Sequence, residues 1–406
     1  MRRAVVTGLG CVSALGENAP STWSNLMDGR GGIALTTVCV DGQGDLEVTA
    51  PLGGVAFDPA IRLREKFGRR AVAGVDRFAN LAACATAEAL GDAALSGDPS
   101  LSSAAIIYAN TSGGLMTIDD SYQRLYYERS PDLHPLTVPK MMGSAAVSHL
   151  STLFGVRGLA YSISSACASS AHAVSEGMHL IRSGRAETVI VGGSDASLTY
   201  GSLRAWSALQ ATSRETCRPF SKGRDGTALG EGAATLVLEE LESARRRGAR
   251  IYAEVAGSGA CSDAGHITKP DAESAARALT AAHEDAGLAL DEPLLLSAHG
   301  TATLLNDRTE AEIFRRVYGD HLSHHRVIAT KSSHGHMLGA TGAMEFLLAI
   351  LAIHHGRAPA ILNYLEDDEE ISLPLVLAAE DIRARAAVST SFAFGGLNCA
   401  LVARLI

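Results

Sequence analysis

The sequence has few aromatic residues, no paired cysteines and no excess of positive charge, and each shortage excludes a class of protein. Aromatic residues make up 5% of the 406 positions, whereas glycine occurs 41 times. This composition is typical of an α/β architecture with many tight turns between strands and helices. The net charge is −9, and an acidic chain is a poor ligand for DNA or RNA. We therefore expect no nucleic-acid partner.

Cysteine is scattered along the chain rather than clustered. None of the seven cysteines lies in a CxxC pair, so the sequence predicts neither a disulfide framework nor a zinc site. His334 and His336, like the pairs 324/325 and 354/355, have no third ligand at a suitable spacing, and we expect no metal. These features indicate a reducing, cytoplasmic location.

Long apolar runs are also missing. The N-terminal MRRAVVTGLGCVSALG is interrupted by glycines, so we interpret it as a strand to Thr7 and a tight turn rather than a signal peptide. A dinucleotide fingerprint is disfavoured, because Ser13 stands where its third glycine belongs. The longest apolar helix, around Met344 to Ile353, contains Glu345 and is too short to span a bilayer. We expect no membrane association.

The chain is too long for one small core. Its strands alternate with helices, which predicts an α/β fold made of two similar halves that share one core. We place the boundary after a charged helix, giving residues 1–249 and 250–406.

The segment LAYSISSACASSAHAVSEGMHLIRSG centres on Cys167. Its first residues alternate like a strand, and from Ala168 the apolar residues have helical spacing up to Gly184. Ser164 and Ser165 are placed to cap the helix. Cys167 would then lie at a helix N-terminus, where the dipole favours the thiolate and free N–H groups can hold an oxyanion. This predicts a nucleophile, with a small buried cysteine as the structural alternative.

Two further polar sites follow predicted strands in the second half. His299 lies in SAHGTAT, and Lys331 with His336 lies in TKSSHGH, after which a glycine-rich turn leads into a helix. A single histidine is usually structural, but matching strand ends could bring these groups and Cys167 to one pocket.

A local basic patch interrupts the acidic composition between residues 61 and 77. It includes Arg62, Lys66, Arg69 and Arg70. Such a run is either a solvated helix face or a docking site for an acidic partner that is steered by charge.

Several ordered motifs resemble those of the β-ketoacyl–acyl carrier protein synthases. They are VTGLGCVSALG, ISSACASSAH, RDGTALGEGA, HGTAT, TKSSHGHMLGATGAME and SFAFGGLN, and they cover essentially the whole chain. The resemblance is to the elongating Cys-His-His synthases of the thiolase superfamily. It implies a layered α-β-α-β-α core of two βαβαβ halves, decarboxylative condensation with malonyl carrier protein, and chain extension by two carbons.

The resemblance also implies roles for individual residues. Cys167 would carry the acyl chain as a thioester, and its N–H and that of Phe394 would form the oxyanion hole. His299 and His336 would promote decarboxylation as neutral imidazoles. The remaining implied site residues are Lys331, Glu345 and Asp307 as supports, Thr301 and Thr303 at the pantetheine arm, Phe392 and Phe394 at a gate, Ser112 at the acyl-pocket floor, and Arg62, Lys66, Arg69 and Arg70 at the carrier protein.

The resemblance implies no bound cofactor, because substrates arrive on the 4′-phosphopantetheine of acyl carrier protein. It implies a dimer, either of identical chains or with a ketosynthase-like chain-length factor. HGTAT, His334 and Ala393 depart from common family patterns and favour a specialised type II polyketide or polyene synthase. Alternatives are a thiolase using Cys399, a non-catalytic partner subunit and a cysteine hydrolase.

Overall fold

The strands form one large sheet and two small ones. A computed structural model describes residues 2–40 and 43–406, and within them ten strands form a mixed sheet, three a second sheet and two a third. The strands are β1 Ala4–Val12, β2 Ala34–Val40, β3 Gln43–Gly53, β4 Ala105–Ala109, β5 Ala160–Ile163, β6 Thr188–Asp195, β7 Leu229–Gly230, β8 Gly232–Glu240, β9 Ala253–Ser262, β10 Leu294–Ser297, β11 Arg326–Ile328, β12 Arg357–Ala358, β13 Glu380–Asp381, β14 Ala386–Phe392 and β15 Leu397–Arg404.

Helices alternate with these strands along the chain. They are α1 Ala19–Met27, α2 Pro59–Phe67, α3 Arg77–Asp92, α4 Leu115–Tyr126, α5 Thr137–Met141, α6 Ala145–Phe154, α7 Ser169–Arg182, α8 Tyr200–Ala208, α9 Leu241–Arg246, α10 Ala272–Ala286, α11 Leu304–Tyr318, α12 Lys331–His334 and α13 Thr341–His355. Short 3₁₀ turns cover Arg69–Ala71, Pro99–Ser103, Gly319–His324, Leu338–Ala340 and Phe394–Gly396.

The large sheet repeats one pattern of strand directions. One set contains β1, β8, β6, β4 and β5 in that order, and the other contains β9, β15, β14, β10 and β11. In each set the first two pairings are antiparallel and the last two are parallel. The sets join where Val5 and Val6 of β1 pair with Glu254 and Ala253 of β9. The sheet is therefore two five-stranded units with the same topology.

Helices α7 and α13 form the middle of five layers. Both belong to a buried cluster that includes strand residues of each unit. Helices α3 and α6 pack on the outer face of the first unit, and α10 and α11 pack on the outer face of the second. This confirms the predicted α/β class and the α-β-α-β-α order. Because α7 follows β5 and α13 follows β11, equivalent strand ends meet at the middle layer.

The first strand is longer than the sequence indicated. β1 continues past Thr7 to Val12, and Gly8 and Gly10 lie within it. The tight turn comes later, where the backbones of Ser13 and Gly16 exchange hydrogen bonds of 3.0 and 3.2 Å. The prediction of a turn directly after Thr7 was wrong, because Gly8 and Gly10 continue the strand and lie against a helix.

The glycines of β1 allow a helix backbone to approach the strand. A Cβ atom on Gly10 would lie 2.1 Å from the carbonyl oxygen of Ala85 on α3. Gly259 of β9 stands in the same relation to Ala278 on α10, also at 2.1 Å. Only glycine permits such close packing. The same contact thus occurs in both units.

One helical stretch among the described residues has the length and composition of a membrane span. It runs from Leu338 to His355, because the 3₁₀ turn leads directly into α13, and 89% of its 18 residues are buried inside the fold. The expectation that this helix is too short was therefore wrong. Its apolar character is accounted for by its place between the two sheet units.

Candidate active site

Cys167 lies in the loop between β5 and α7 and is 7% exposed. The preceding Ala166 has φ +50°, a left-handed conformation that costs an L-residue about 1–2 kcal/mol. Strain next to a candidate nucleophile is typical of functional sites. The prediction that Ser164 and Ser165 cap the helix was wrong, because the N-cap residue of α7 is Ala168. Ser165 Oγ instead lies 2.8 Å from His172 Nδ1.

His299 stands just beyond β10, on a loop that α11 holds in place. The Glu310 carboxylate accepts hydrogen bonds from the backbone N–H groups of His299 at 2.7 Å and Gly300 at 2.8 Å. The Asp307 carboxylate accepts from the N–H of Ala302 at 3.1 Å. No motif pointed to Glu310, although it lies three residues after Asp307 on the same helix face.

Lys331 is fully buried and connects His299 to Glu345. Its Nζ lies 2.6 Å from Glu345 Oε1 and 3.2 Å from His299 Nδ1, and it also donates to the His299 carbonyl oxygen. An ammonium group has donors and no acceptor. His299 Nδ1 must therefore accept, and the imidazole proton resides on Nε2.

His336 brings the two halves of the site together. Its Nε2 lies 3.1 Å from Cys167 Sγ, and its Nδ1 lies 3.0 Å from the hydroxyl of Thr341 at the start of α13. The rings of His299 and His336 meet edge to face, with centroids 5.5 Å apart. A sulfur and two imidazoles that are far apart in the chain thus share one site.

Burial governs the charge of the sulfur in the free protein. It raises the pKa of the Cys167 thiol to about 11, although the Lys331 cation and the N–H groups of Phe394 and Cys167 act in the opposite direction. The expectation that a position at the helix N-terminus favours the thiolate was therefore wrong for the resting site. The two N–H groups nevertheless lie beside the sulfur, close to where the oxygen of an acyl group bound to Cys167 would be.

Both histidines are neutral at physiological pH. Burial, followed by the nearby Lys331 cation, holds the pKa of His299 and of His336 well below the usual value. Burial raises the pKa of Glu345 to about 8, opposed by Lys331. Neutral imidazoles can each donate one hydrogen bond and accept one. This is the state that the sequence analysis required for both rings.

A cleft with about 580 Å³ of empty space opens onto Cys167 and the two histidines. Thr301, Thr303, Phe392 and Phe394, which the resemblance places at a pantetheine arm and a gate, all line it, and those roles stay predictions. Phe394 is 37% exposed, and its ring stacks on that of Trp206 with centroids 6.0 Å apart. An apolar slot with a few hydroxyl groups suits a flexible amide-bearing arm.

Several parts of the cleft wall were not expected from the sequence. They include Trp206 on α8 and the loop residues His266, Ile267, Thr268 and Pro270. No spacing pattern marks these positions, so the sequence alone offered no signal for them. Ser112, by contrast, is exposed and lies outside the cleft lining, and its role in an acyl pocket stays a prediction.

The four basic residues expected at a docking surface lie on α2 and the turn that follows. Lys66, Arg69 and Arg70 are exposed, whereas Arg62 is half-buried and lies 3.5 Å from Glu17. None of the four is part of the cleft wall. The site and this patch are thus separate features of the described chain.

The fold brings three possible metal ligands together that are far apart in the sequence. The ligand atoms of Cys167, His299 and His336 lie within 4.8 Å of one another, so the spacing argument against a third ligand was wrong. The ammonium group of Lys331, 3.2 Å from His299, opposes a further cation there. The absence of a metal stays a prediction.

Comparison with known proteins gives consistent matches over the whole chain. Residues 1–244 match the family described as "Beta-ketoacyl synthase, N-terminal domain", and residues 252–365 match "Beta-ketoacyl synthase, C-terminal domain". Nodulation protein E of Rhizobium leguminosarum bv. trifolii is 37% identical over 406 residues, covering 100% of both chains. The 3-oxoacyl-[acyl-carrier-protein] synthase 2 of Staphylococcus aureus (strain N315) is 33% identical over 410 residues, covering 99% and 98%.

A solved structure extends this similarity to the fold. The structure described as "The ishigamide ketosynthase/chain length factor" superimposes with a TM-score of 0.91 at 32% identity, covering 100% of this chain and 99% of that one. The similarity therefore includes both five-stranded units and the middle layer between them.

Proposed function

Because the chain belongs to the beta-ketoacyl synthase family, we propose that its site performs decarboxylative condensation of a Cys167-bound acyl group with malonyl carrier protein. The chain is an acyltransferase of fatty-acid or polyketide elongation. The observation that supports these residue roles most directly is the 3.1 Å approach of His336 Nε2 to Cys167 Sγ beside the His299 ring. The proposed product is a β-ketoacyl chain longer by two carbons.

The first proposed step loads the acyl chain. Cys167 Sγ attacks the thioester carbonyl of acyl carrier protein, and the oxyanion is held by the N–H groups of Cys167 and Phe394. The new carbon–sulfur bond replaces the bond to pantetheine, whose sulfur leaves with the proton that the cysteine gave up. One thioester is exchanged for another, so no water or cofactor is consumed.

The second proposed step forms the new carbon–carbon bond. The malonyl carboxylate leaves as CO₂, and its bonding electrons pass into an enolate whose oxygen accepts hydrogen bonds from His299 and His336. The enolate carbon attacks the acyl carbonyl on Cys167, and the sulfur departs as thiolate. Lys331 keeps the His299 proton on Nε2, which fits the role of a donor to that oxygen.

No bound cofactor is needed, because the pantetheine arm of the carrier protein brings each substrate. We propose that Thr301 and Thr303 contact this arm and that Phe394 is the gate at the cleft mouth. The arrangement is supported by the hydroxyl groups in the cleft and by the partial exposure of the Phe394 ring.

The carrier protein is the proposed partner of the basic surface formed by Arg62, Lys66, Arg69 and Arg70. Three of these side chains are exposed and available to an acidic protein. Charge reversal at Arg69 and Arg70 should weaken carrier-protein binding, whereas the same change at exposed Arg383 and Arg385 should not. Equal binding by both variants would place docking elsewhere.

We also propose that the chain forms a dimer, either with an identical chain or with a related but diverged subunit. β5 is an outer strand of the large sheet, and Ala160 within it is exposed. The ishigamide relative is described as a ketosynthase with a chain length factor, which makes a diverged partner the second candidate. We propose a cytoplasmic location for this assembly, which cell fractionation tests.

The competing functions fit the geometry less well. A second thiolase cysteine would have to act in the cleft. Cys399 is instead buried in β15 and does not line the cleft. A non-catalytic subunit would not require a sulfur and two neutral imidazoles in contact. A hydrolase would release free acid from acyl-Cys167, which the experiment below detects.

Acyl loading tests the proposal at its first step. After incubation with acyl carrier protein, intact-mass measurement should show one acyl group on the wild-type chain and none on Cys167→Ala. The matched control is Cys39→Ala, which removes an exposed cysteine and should still be loaded. Loading of Cys167→Ala, or free acid formed as fast as the adduct, would contradict the assignment.

A further inference from the structure

The two imidazoles of the site have partners of different chemical kinds. Lys331 can only donate, so His299 has a fixed tautomer with its proton on Nε2. The partner of His336 Nδ1 is the Thr341 hydroxyl, at 3.0 Å, and a hydroxyl can either donate or accept. One ring is thus held in a single tautomer, whereas the other is not.

The surroundings of Thr341 leave its hydroxyl to His336. Thr341 is fully buried at the first position of α13. Among the described residues, the hydrogen-bond partner of its Oγ1 is His336 Nδ1. Water has no access to replace this partner. The orientation of one hydroxyl therefore determines which His336 nitrogen carries the proton.

The two steps of the proposed reaction require opposite states of His336 Nε2. During loading, Nε2 must accept the proton of the Cys167 thiol, whose pKa burial raises to about 11. His336 then carries protons on both nitrogens, and the Nδ1 proton needs an acceptor. During decarboxylation, Nε2 must carry a proton and donate it as a hydrogen bond to the enolate oxygen, while Nδ1 accepts.

We propose that Thr341 is a positioning residue that supports both states of His336 by reversing the direction of one hydrogen bond. As an acceptor it stabilises the doubly protonated ring formed when Nε2 takes the Cys167 proton, which later passes to the departing pantetheine sulfur. As a donor it holds the neutral ring with its proton on Nε2. This inference rests on the proposed function and adds proton acceptance from Cys167 to the work of His336.

Other charged and titratable groups face this pair and stay unchanged when Thr341 is replaced. On the segment of His336 they are Lys331 and His334, and on other elements they are His299 and Asp195. A change in the reactivity of Cys167 in a Thr341 variant can therefore be assigned to the lost hydroxyl.

The test compares Thr341→Val, which has nearly the same shape, with Thr341→Ser, which keeps the hydroxyl. In the valine variant the doubly protonated ring leaves a buried N–H without a partner, so acyl loading should slow about tenfold or more. Decarboxylation of malonyl carrier protein uses the neutral ring, whose hydrogen bond from a hydroxyl is worth less than one to the charged ring, so its rate should fall by less, about threefold. Thr341→Ser should restore the loading rate.

A substrate-free readout separates this inference from the proposed function. Alkylation of Cys167 by iodoacetamide, followed by mass spectrometry across pH, should be about tenfold slower at neutral pH in Thr341→Val and near wild type in Thr341→Ser. Equal alkylation profiles in all three proteins, or equal losses of loading and decarboxylation with no rescue by serine, would overturn the role of Thr341. A wild-type chain that alkylates as expected but never loads acyl groups would instead refute the proposed function.

Discussion

At the scale of single residues, Lys331 makes contacts that no neutral side chain can replace. It pairs with the buried carboxylate of Glu345 and donates to His299 Nδ1. A buried acid without its hydrogen-bond partner is destabilising, and an imidazole without its donor can change tautomer. Lys331 thus combines a stabilising contact with a functional one, and the two effects can be separated by mutation.

We predict that Lys331→Met lowers the free energy of unfolding by about 1–3 kcal/mol, because Glu345, whose raised pKa lets it take up a proton, is left buried without its hydrogen-bond partner. The double variant Lys331→Met/Glu345→Leu should recover most of this loss in urea denaturation. Malonyl decarboxylation should nevertheless stay about tenfold or more below wild type in the double variant, because His299 has lost its donor. Wild-type decarboxylation in the double variant would contradict the proposed role of Lys331.

His334 lies beside the site and provides a pH-dependent test of burial. Burial lowers its pKa from 6.5 to about 3, and its ring nitrogens bond to the Gly335 carbonyl and the Thr330 hydroxyl. A depressed folded-state pKa means that the unfolded chain binds the proton first as the pH falls. The stability that depends on neutral His334 is present above about pH 6.5 and is lost towards pH 3.

We predict that His334 alone accounts for about 2 kcal/mol of the stability lost between pH 7.5 and pH 5. Urea denaturation of the wild type and of His334→Gln at both pH values gives this contribution as a difference of differences. The loss should be smaller by that amount in the glutamine variant. An identical pH dependence in both proteins would show that His334 is not held neutral by the fold.

Residue types and their positions after strands, together with the motifs, indicated which groups come together at the site, but not their charge states. The pattern around Cys167 indicates a helix N-terminus, and the helix dipole favours a thiolate. The opposing effect of burial depends on layers supplied by distant segments, and it raises the pKa of the thiol instead. Glu310 and Thr341 were missed for the same reason, since their contacts become apparent only when the chain is folded.

At the scale of secondary-structure elements, a glycine contact joins each first strand to its outer helix. β1 approaches α3 at Gly10, and β9 approaches α10 at Gly259. In both places a methyl group would collide with a helix carbonyl oxygen, which cannot move without shifting the helix. The motif that resembles a nucleotide-binding turn in the sequence is therefore a packing device.

We predict that Gly10→Ala and Gly259→Ala each lower the free energy of unfolding by about 1–3 kcal/mol through overpacking. The matched control is Gly91→Ala on α3, where the new methyl group would meet nothing closer than 3.8 Å. This control should be neutral or more stable by about 0.5–1 kcal/mol, because alanine favours helix. Stability equal to wild type in Gly10→Ala would contradict the close approach of strand and helix.

Loops explain most of what the sequence did not predict at this scale. The apolar run around Met344 to Ile353 correctly marked a helix, although α13 extends beyond it at both ends. The wall formed by residues 266–270 has neither periodicity nor a motif, and its place at the cleft depends on a hydrogen bond of 2.7 Å from the Gly395 N–H to the Ile267 carbonyl. Such a contact between distant loops leaves no trace in local sequence.

At the scale of the whole molecule, β5 ends the order of the large sheet and has a neighbouring strand on one side only among the described residues. The carbonyl oxygens of Leu159 and Ile163 accept hydrogen bonds from the N–H groups of Ile106 and Asn110 along β4. In a parallel pair the groups of alternate residues point the other way, so those of Ala160 and Ser162 face outward. This edge is the surface at which we expect a second chain to pair.

We predict that Ser162→Pro converts a dimer into monomers, because proline removes an outward N–H group without touching the bonds to β4. Ser162→Thr keeps that group and is the matched control. Analytical ultracentrifugation should give the monomer mass for the proline variant and the dimer mass for the control and the wild type. A dimer mass for a folded Ser162→Pro chain would place the interface elsewhere.

The repeated architecture was partly visible before the structure. Similar strand, turn and helix segments around Cys167 and His336 predicted two related halves. The register and direction of the strands could not be predicted, because pairings such as that of β1 with β9 join residues about 250 positions apart and have no local signal. The boundary between residues 1–249 and 250–406 stays a prediction.

The most direct test of the account is a single turnover of pre-loaded enzyme. Wild-type chain carrying one acyl group on Cys167 is mixed with malonyl carrier protein, and the adduct, CO₂ and β-ketoacyl carrier protein are measured together. Each adduct lost should yield one CO₂ and one product longer by two carbons. Loss of the adduct as free acid, or CO₂ release that leaves the adduct in place, would contradict it.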